Sequence, residues 1–493
     1  MPTHTRRAVL AFTGAATLAA CGTKQRTDAA VAPSPGHYVS PHGPEVAATE
    51  RKRFTNGDVY KARLTATVGP VELGGGRTVD TWTYNGDLPG PLIRLKAGDT
   101  FAARVANHLP ETTSAHWHGI NNRNDMDGVP GLTQPPIESG DDFDFRFAVS
   151  RPGTYWFHPH TGVQLDRGLY GPLIVDDPRE PLSYDREWIV MLDDWVDGVG
   201  GSTAETVMGE LMGKPAHPSR LLHKGHTPSL RGVPGHVKYP LYLVNGRASD
   251  DPSVFRAQPG DRIRIRIINA GSDTAFRVAL GGHKMTVTHT DGSPVRHART
   301  DCLLLGMAER YDVLVTAGDG VFPLTAVAEG KGASGLAILR TSSGERPTAA
   351  ARPAELGRTL MLPARLRADD SVRLPGAAHP DRTLRFDLTG NMRRFNWAFN
   401  NQPYEPGRRH AIRAGERVRL TFRNHTHMWH PIHLHGHTFE LTGGGPRKDT
   451  MVILPGQNIS VDFKANNPGL WMLHCHNVYH SEAGMMTTLG YLR

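Results

Sequence analysis

The sequence predicts an all-β protein made of three β-sandwich domains, and two observations support this prediction. First, segments 96–107, 258–269 and 413–424 resemble one another: each starts with a Gly-Asp or Gly-Glu turn, continues as a strand and ends in asparagine. Second, apolar and charged residues alternate, as around Ile263 and Ile265, and no long stretch has helical periodicity. The repeats lie too far apart for a short-period solenoid, so each one marks a domain.

The length agrees with this division, because 493 residues correspond to about three domains of roughly 150 residues each. The predicted boundaries are an export signal at 1–21, a flexible tether at 22–49, sandwich domains at 50–178, 180–345 and 380–493, and a connector at 346–379. The tether and the connector are rich in Ala, Pro and other residues typical of linkers.

Charge and hydropathy exclude two classes of partner. The net charge of +8 comes from scattered Lys and Arg residues without a dense basic block interleaved with aromatics, so no nucleic-acid partner is predicted. No apolar run reaches the roughly 18 residues of a membrane span. We expect a monomer that acts on small molecules.

The N-terminus predicts export from the cytoplasm. Arg6 and Arg7 precede the apolar run 8–20, which is the pattern of a twin-arginine signal. The run ends in Leu-Ala-Ala-Cys-Gly, which resembles a bacterial lipobox and predicts lipidation of Cys21. The chain would then lie in the cell envelope, on the outer face of the cytoplasmic membrane, held only by its lipid anchor. The alternative is a plain export signal with a fortuitous cysteine.

The two other cysteines, Cys302 and Cys475, are too few for a disulfide framework. Cys302 precedes three leucines and is predicted to be a buried core thiol. Cys475 lies between two histidines, and neighbouring side chains on a strand point to opposite faces. Together with His480 and Met485, Cys475 supplies three of the four ligands of a blue-copper electron-transfer site.

Metal-ligand spacing occurs in the first and third domains. A His-x-His pair on a strand directs both imidazoles to one side. Four pairs supply eight imidazoles: His116, His118, His158, His160, His433, His435, His474 and His476. Any single pair is better explained by structural or surface histidines, but four pairs at equivalent places are not. His430 and Cys475 have the opposite parity, so the pattern predicts a thiolate site on one side and an eight-histidine site on the other.

The donor set also indicates which metal is bound. Zinc is the competing metal, but a closed structural zinc site takes four ligands, not eight histidines beside a separate thiolate set. Imidazole-rich sites with a Cys-His-His-Met companion favour copper.

These motifs resemble the four copper-binding boxes of multicopper oxidases. The matching segments are 116–119, 158–160, 430–437 and 474–485, which occur in the family's order and span essentially the whole mature chain. The resemblance implies three cupredoxin-like Greek-key domains and four copper ions. The implied ligands are His430, Cys475, His480 and axial Met485 for the type 1 copper, His116 and His433 for the type 2 copper, His118, His158 and His476 for one type 3 copper, and His160, His435 and His474 for the other.

The resemblance implies an oxidase that takes single electrons from a small reducing substrate and reduces dioxygen to two waters. Cys475 would begin the electron path between the copper sites, and Asp127 is the candidate proton donor or ligand-orienting group. An ordinary loop carboxylate is the alternative for Asp127. Copper-tolerance members often have an acid directly after the last type 1 histidine. This chain has Ser481 there and Glu482 one position later, so Glu482 is the candidate for a second proton path.

The favoured substrate is cuprous ion, oxidised for copper tolerance, with phenols, aromatic amines and ferrous ion as further reductants. Met428 lies two residues before His430, where copper-tolerance members place a methionine that helps dock cuprous ion. The segment 208–236 adds two methionines and four histidines, either as a copper-gathering loop or as a flexible one with incidental His and Met.

Three alternative functions have weaker support. A laccase acting mainly on phenols would share the whole copper core. A copper-sequestering protein would not need an electron-transfer site, and a copper nitrite reductase typically has two domains per chain and lacks the coupled binuclear pair. The middle-domain histidines His283 and His289 are isolated and are predicted to be surface or core residues.

Overall fold

The structure, a computed structural model, describes residues 37–215, 219–222, 225–376 and 379–493. Its regular structure is almost entirely β-strand, which confirms the all-β prediction. No helix in these ranges is both long and apolar enough to span a membrane. The predicted export signal and Cys21 lie outside the described residues.

Strands occupy the chain from near the start of the described region to its C-terminus, and the α-helices are short. The strands are β1 (Val59–Glu72), β2 (Thr78–Tyr84), β3 (Ile93–Lys96), β4 (Thr100–Asn107), β5 (His116–His118), β6 (Asp142–Ala148), β7 (Gly153–His158), β8 (Gly171–Asp176), β9 (Arg186–Trp195), β10 (Leu241–Val244), β11 (Arg247–Ala248), β12 (Val254–Arg256), β13 (Arg262–Asn269), β14 (Phe276–Leu280), β15 (Met285–Thr290), β16 (Ser293–Thr300), β17 (Cys302–Leu305), β18 (Arg310–Thr316), β19 (Val321–Ala328), β20 (Ser334–Arg340), β21 (Leu360–Met361), β22 (Arg382–Thr389), β23 (Ala398–Phe399), β24 (Arg409–Arg413), β25 (Arg417–Asn424), β26 (His430–Leu434), β27 (Phe439–Leu441), β28 (Arg447–Lys448), β29 (Thr450–Ile453), β30 (Asn458–Lys464), β31 (Leu470–Cys475) and β32 (Met486–Leu492). The helices are α1 (Pro44–Glu50), α2 (Ala204–Leu211) and α3 (Val478–Glu482).

The strands form two sheets in each of three successive parts of the chain, here called the first, middle and third domains. The sheet orders are β2-β1-β4-β6 and β3-β8-β7-β5 in the first domain, β11-β10-β9-β13-β18-β15-β16 and β12-β20-β19-β14-β17-β21 in the middle domain, and β23-β22-β25-β30-β27-β28 and β24-β32-β31-β26-β29 in the third. Buried apolar side chains of the middle and third domains form one continuous core.

The three sequence repeats occupy equivalent places in these sheets. They contain strands β4, β13 and β25, and each of these has a parallel neighbour on one side and an antiparallel neighbour on the other: β1 and β6, β9 and β18, and β22 and β30. The terminal asparagines, Asn107, Asn269 and Asn424, are buried, and each carboxamide donates to two backbone carbonyls. Each also accepts the backbone N–H two residues later, at 2.9 Å in all three domains. Asparagine therefore ends each repeat because it satisfies three backbone groups at the same turn.

The N-terminal part of the described chain differs from the prediction. Residues 37–49 were expected to belong to the flexible tether 22–49, but they are folded against the third domain. Val39 and Val46 are buried, and the N–H of Val39 donates to the carbonyl of Tyr491 at 2.8 Å. The few apolar residues in this polar stretch pack near the C-terminal strand. The composition of the stretch alone does not predict this packing.

The connector is also ordered where it is described. Its strand β21 pairs in parallel with β17, which carries Cys302. Cys302 is fully buried, as predicted, and burial raises the pKa of its thiol.

Candidate metal centre

Paired strands bring the predicted histidines together. In the first domain β5 and β7 are antiparallel neighbours, with His116 opposite His158. In the third domain β26 and β31 pair in the same way, with His433 opposite His474. The second histidine of each His-x-His pair lies two residues farther along the chain. His118 is still on β5, whereas His160, His435 and His476 lie within two residues after the ends of β7, β26 and β31.

The eight imidazoles meet at one buried site between the first and third domains. Seven of them are at most 3% exposed, and the eighth is half-buried. Two groups of three have donor atoms within 4.8 Å of one another: His118, His158 and His476, and His160, His435 and His474. These are the two groups that the resemblance implies for the type 3 copper ions.

The positions of the ring nitrogens fit bound metal ions. Nε2 of His474 lies 3.4 Å from Nε2 of His160 and 3.1 Å from Nε2 of His435. Two nitrogens that bind one metal at about 2.0 Å in tetrahedral geometry lie about 3.3 Å apart. Nε2 of His116 and Nε2 of His433 are buried without a hydrogen-bond partner in the described part of the chain. Leaving such atoms unpaired costs free energy, which a metal ligand bond would offset.

Cys475 faces the opposite side of β31 and forms the second site. Its Sγ lies 3.6 Å from Nδ1 of His430 and 3.5 Å from Nδ1 of His480, and these two nitrogens are 3.1 Å apart. Met485 is buried, and its carbonyl accepts a hydrogen bond from the backbone N–H of Cys475 at 3.0 Å. A thiolate and two imidazoles with a nearby thioether form the donor set of a blue-copper site.

Burial sets the protonation states of both sites. Desolvation lowers the pKa of most of these histidines, to about 3 for His160 and His430. The neutral imidazole is the form that binds metal. Desolvation raises the pKa of the Cys475 thiol, so its thiolate form needs the positive charge of a bound metal. Both sites are therefore suited to cations.

We expect the metal-free protein to lose stability as the pH falls below about 6.5. The folded state lowers the pKa of the buried histidines, which titrate near about 6.5 when unfolded. Below that value the unfolded state binds more protons, so stability that is present at neutral pH is lost as the pH falls, by up to about 1.4 kcal/mol per pH unit for each histidine. Urea unfolding at neutral and mildly acidic pH measures this effect. Equal midpoints would contradict the expectation.

Asp127 contacts one histidine of the first domain and one of the third domain. Its backbone carbonyl accepts a hydrogen bond from Nδ1 of His116 at 2.7 Å. Its carboxylate Oδ2 lies 2.9 Å from Nδ1 of His435. The other oxygen, Oδ1, is buried and has no hydrogen-bond partner in the described part of the chain. Such partners fix the orientation and tautomer of a ligand histidine, and Oδ1 also lies 3.3 Å from Nδ1 of His116.

Asp449 is the counterpart of Asp127 in the third domain, and it is not among the residues predicted from the sequence. Its carbonyl accepts a hydrogen bond from Nδ1 of His433 at 2.8 Å, and its Oδ1 lies 3.1 Å from Nε2 of His118. Each aspartate thus orients one imidazole through its backbone and one through its carboxylate. The only sequence signal is an acid in the loop after a histidine-rich box, which many unrelated loops share.

A cation from the middle domain fixes Asp449 in place. Nη1 and Nη2 of Arg310 each donate to the Asp449 carboxylate at 2.6 Å, a bidentate pair. Burial alone would raise the pKa of Asp449, but the Arg310 guanidinium outweighs it and holds that pKa well below its ordinary value. The middle domain, which has no His-x-His pair, therefore contributes to the site through Arg310.

Glu482 lies between two cavities. The smaller, of about 20 Å³, is bordered by four histidines of the eight-histidine site together with Ser481 and Glu482. The larger, of about 360 Å³, shares Glu482 and is also lined by Glu111, Glu205 and Lys214. Glu482 is therefore placed between the histidine site and a wider cavity.

The outer edge of the thiolate site is covered by aromatic and imidazole rings. Nε2 of His480 lies 2.5 Å from Nε2 of His236, and its ring centroid is 4.4 Å from that of Trp397. His480 is 0% exposed and His236 is 2% exposed. Met428 is also 0% exposed and packs in the core, so the predicted docking of cuprous ion at its thioether requires its neighbours to move.

The two isolated histidines of the middle domain belong to neither site. Nδ1 of His283 donates to the carbonyl of Gly281 at 2.7 Å, and its Nε2 accepts the N–H of Gly318 at 2.9 Å. His289 contacts the Thr288 hydroxyl at 3.0 Å. All three contacts are with residues outside both sites, and these histidines are structural.

The sequence is similar to those of known proteins over most of its length. Sequence profiles described as multicopper oxidase match residues 65–180, 186–344 and 378–491. The multicopper oxidase MmcO of Mycobacterium tuberculosis is 47% identical over 458 residues, which cover 91% of this chain and 90% of the relative. A copper resistance protein A homolog of Pseudomonas syringae pv. tomato is 30% identical, covering 85% of this chain and 90% of the relative.

Solved structures show the same architecture. The laccase from Botrytis aclada has a TM-score of 0.73 at 26% identity, with 90% of each chain covered. Fet3p, a multicopper oxidase that functions in iron import, has a TM-score of 0.74 at 23% identity, with 88% of this chain and 90% of that chain covered, and at this identity the likeness shows the fold alone. The prediction of cupredoxin-like β-sandwich domains is confirmed. The chain therefore belongs to the multicopper oxidase family.

Proposed function

We propose that this multicopper oxidase takes electrons singly from cuprous ion, for copper tolerance, and passes them to dioxygen. Phenols, aromatic amines and ferrous ion would be further reductants. The main support for this proposal is that the tripeptide 474–476 contributes to both sites. Cys475 lies in the thiolate site, and its two neighbours lie in the histidine site. Relatives named copper resistance protein A support copper tolerance as the biological role.

The groups of donor atoms support one set of ligands for each of the four copper ions that are typical of the family. The proposed ligands are His430, Cys475, His480 and axial Met485 for type 1, His116 and His433 for type 2, and His118, His158 and His476 together with His160, His435 and His474 for the type 3 pair. When bound, copper supplies the one-electron chemistry that joins oxidation of the reductant to reduction of dioxygen to water.

In this proposal the chain itself connects the two sites. Cys475 lies within the thiolate site, and its backbone leads in both directions to histidines of the other site. The electron path is therefore covalent and needs no moving part. Reduction of dioxygen also consumes protons, and we assign their delivery to Asp127, whose Oδ1 is buried at the histidine site without a hydrogen bond within the described part of the chain, and to Glu482, which lines the adjoining cavity.

The covering of His480 favours a small reductant over a bulky phenol. In a laccase acting mainly on phenols, the organic ring needs contact with the edge of a type 1 ligand. Here His236 occupies that edge, and Trp397 and Phe395 pack beside it, with ring centroids 4.4 and 6.1 Å from that of His480. A cuprous ion can instead donate its electron through the imidazole of His236 when the neighbours of this 2% exposed ring move aside, since histidine is a ligand for copper.

We expect His236→Ala to shift the enzyme toward organic substrates. Removing the ring opens the edge of His480, so kcat/KM for a phenol should rise about tenfold relative to kcat/KM for cuprous ion, a change of about 1.4 kcal/mol. The blue absorption should persist, because His430, Cys475 and His480 remain. His226→Ala, an exposed histidine of the same segment, is the matched control. An unchanged substrate ratio would contradict the role of His236.

Oxygen uptake with separate reductants tests the function as a whole. The copper-loaded wild-type protein should consume oxygen with a higher kcat/KM for cuprous ion than for a phenol. A higher value for the phenol would support the laccase alternative. No oxygen consumption would indicate a copper-sequestering protein, and turnover of nitrite would indicate a nitrite reductase.

We also propose that the chain is exported by the twin-arginine route and acts as a monomer, attached to the outer face of the cytoplasmic membrane by lipid on Cys21. The support is the sequence of residues 1–22. Cys21→Ala should move the protein from the membrane fraction to the soluble fraction with its oxidase activity unchanged. Unchanged fractionation would contradict lipid anchoring.

A further inference from the structure

A cationic cleft lies between the first and third domains, and none of the residues that line it is a proposed copper ligand. Its volume is about 600 Å³, and its lining includes five basic side chains: Lys52, Arg53, Arg151, Arg447 and Lys464. No aspartate or glutamate is among the described residues that line it. The remaining lining is small, polar or apolar, so the charge of the cleft is not balanced within it.

Two of these arginines have no carboxylate partner. Arg447 donates from Nη1 to the carbonyl of Val372 at 3.0 Å and from Nη2 to the carbonyl of Thr438 at 2.8 Å. Arg151 donates to the hydroxyl of the same Thr438 at 2.9 Å. Both guanidiniums therefore meet at one residue, and neither makes an ion pair within the described part of the chain. Arg53 differs, since it pairs with Glu50 at 3.1 Å.

The environment of Arg447 is unfavourable for a positive charge. Its Nε is buried and has no hydrogen-bond partner among the described residues. Burial and then the nearby charge of Arg151 lower the pKa of Arg447 to about 9, and the attraction of Glu440 is a smaller effect. The carboxylate of Glu440 is already used by the N–H of Leu374 at 2.8 Å. Arg447 as a whole is half-buried, and a cation that is partly removed from water with a like charge beside it is stabilised when an anion binds.

We infer that this cleft binds a phosphate- or sulfate-type oxyanion. A guanidinium presents a planar fork of donors that matches two oxygens of such a group, and two adjacent arginines can share its charge. The volume lies within the range of about 300–1,000 Å³ that is usual for small-molecule sites, so the cleft can also accept an oxyanion that is part of a larger molecule. None of the five basic residues is a proposed copper ligand, and the inference does not depend on the proposed oxidase substrate.

The test is calorimetric titration of the copper-loaded, full-length protein with inorganic phosphate, with glycerol phosphate as a phosphate ester and with sodium chloride at matched ionic strength. We expect both phosphates to bind and chloride not to bind. Tighter binding of the ester would identify the ligand as a phosphate group on a larger molecule, and equal or weaker binding would identify the free ion.

Variants locate the site. Arg447→Gln and Arg151→Gln should each weaken phosphate binding at least tenfold, whereas Arg256→Gln, an exposed arginine of β12, should leave it unchanged. Arg447→Lys keeps the positive charge but lacks the two parallel N–H donors of the guanidinium, so it should bind phosphate with intermediate affinity. This result would show that weak binding by Arg447→Gln is not caused by misfolding. The electron paramagnetic resonance signals of copper should not change on adding phosphate. No phosphate binding, or equal binding by wild type and Arg447→Gln, would overturn the inference.

Discussion

Replacing Cys475 with serine is expected to abolish oxidase activity and the blue colour while leaving the histidine site able to bind copper. The side chain of Cys475 lies 3.6 and 3.5 Å from the donor nitrogens of His430 and His480. A serine hydroxyl does not ionise near neutral pH and is a poor ligand for copper in such a site. The variant should contain one copper ion fewer per chain and should show no turnover with cuprous ion or a phenol.

Cys302→Ser is the matched control for this variant. Cys302 is also a fully buried thiol, but it lies in the middle domain on β17, and its Sγ is 3.7 Å from the carbonyl of Thr359. A serine there can donate to that carbonyl, so the change should cost about 1–2 kcal/mol of stability and leave colour and turnover intact. Absorption, copper content and oxygen uptake check both variants. Blue colour in Cys475→Ser would contradict the assignment of the thiolate site.

The part of the site that lies on strands could be predicted from the sequence, because strand parity is a local property. Spacing alone placed His430 and Cys475 on the face opposite to their histidine neighbours. In the structure the two residues lie together with His480, while His433 and His474 lie opposite each other on paired strands in the other site. The eight histidines come from the first and third domains. The repeated turn–strand–asparagine segments indicated that these domains are equivalent, so their histidines could be grouped from the sequence.

The contacts that join distant parts of the chain could not be predicted in this way. Arg310 of the middle domain meets Asp449 of the third, and His236 meets His480 across 244 positions. The packing of the three domains determines these contacts, so the local sequence around either partner does not predict them. Burial is equally non-local, and it explains the ordered residues 37–49 and the enclosed thioether of Met428.

The carboxylate of Asp127 gives the second large expected effect. Asp127→Asn should slow reduction of dioxygen by about 10²–10⁴-fold, the usual contribution of a positioned proton donor, and should leave the blue colour unchanged. The ligands should stay in place, because His116 is held by the backbone carbonyl of Asp127 at 2.7 Å, and the amide oxygen of asparagine can still accept from His435. Asparagine cannot deliver a proton from the position of Oδ1, which makes no hydrogen bond within the described part of the chain.

Asp125→Asn separates this role from a general effect of removing a charge from the same loop. Asp125 lies two residues earlier, is also buried, and pairs with Arg123 at 2.6 Å instead of with a ligand histidine. Its variant should lose stability but not turnover. Stopped-flow mixing distinguishes the steps: reduction of the blue copper by cuprous ion should proceed at the wild-type rate in Asp127→Asn, and only its reoxidation by dioxygen should be slow. If reoxidation keeps the wild-type rate, Asp127 orients the ligand histidines without carrying protons, and Glu482, which lines the small cavity beside the histidine site, becomes the residue to replace.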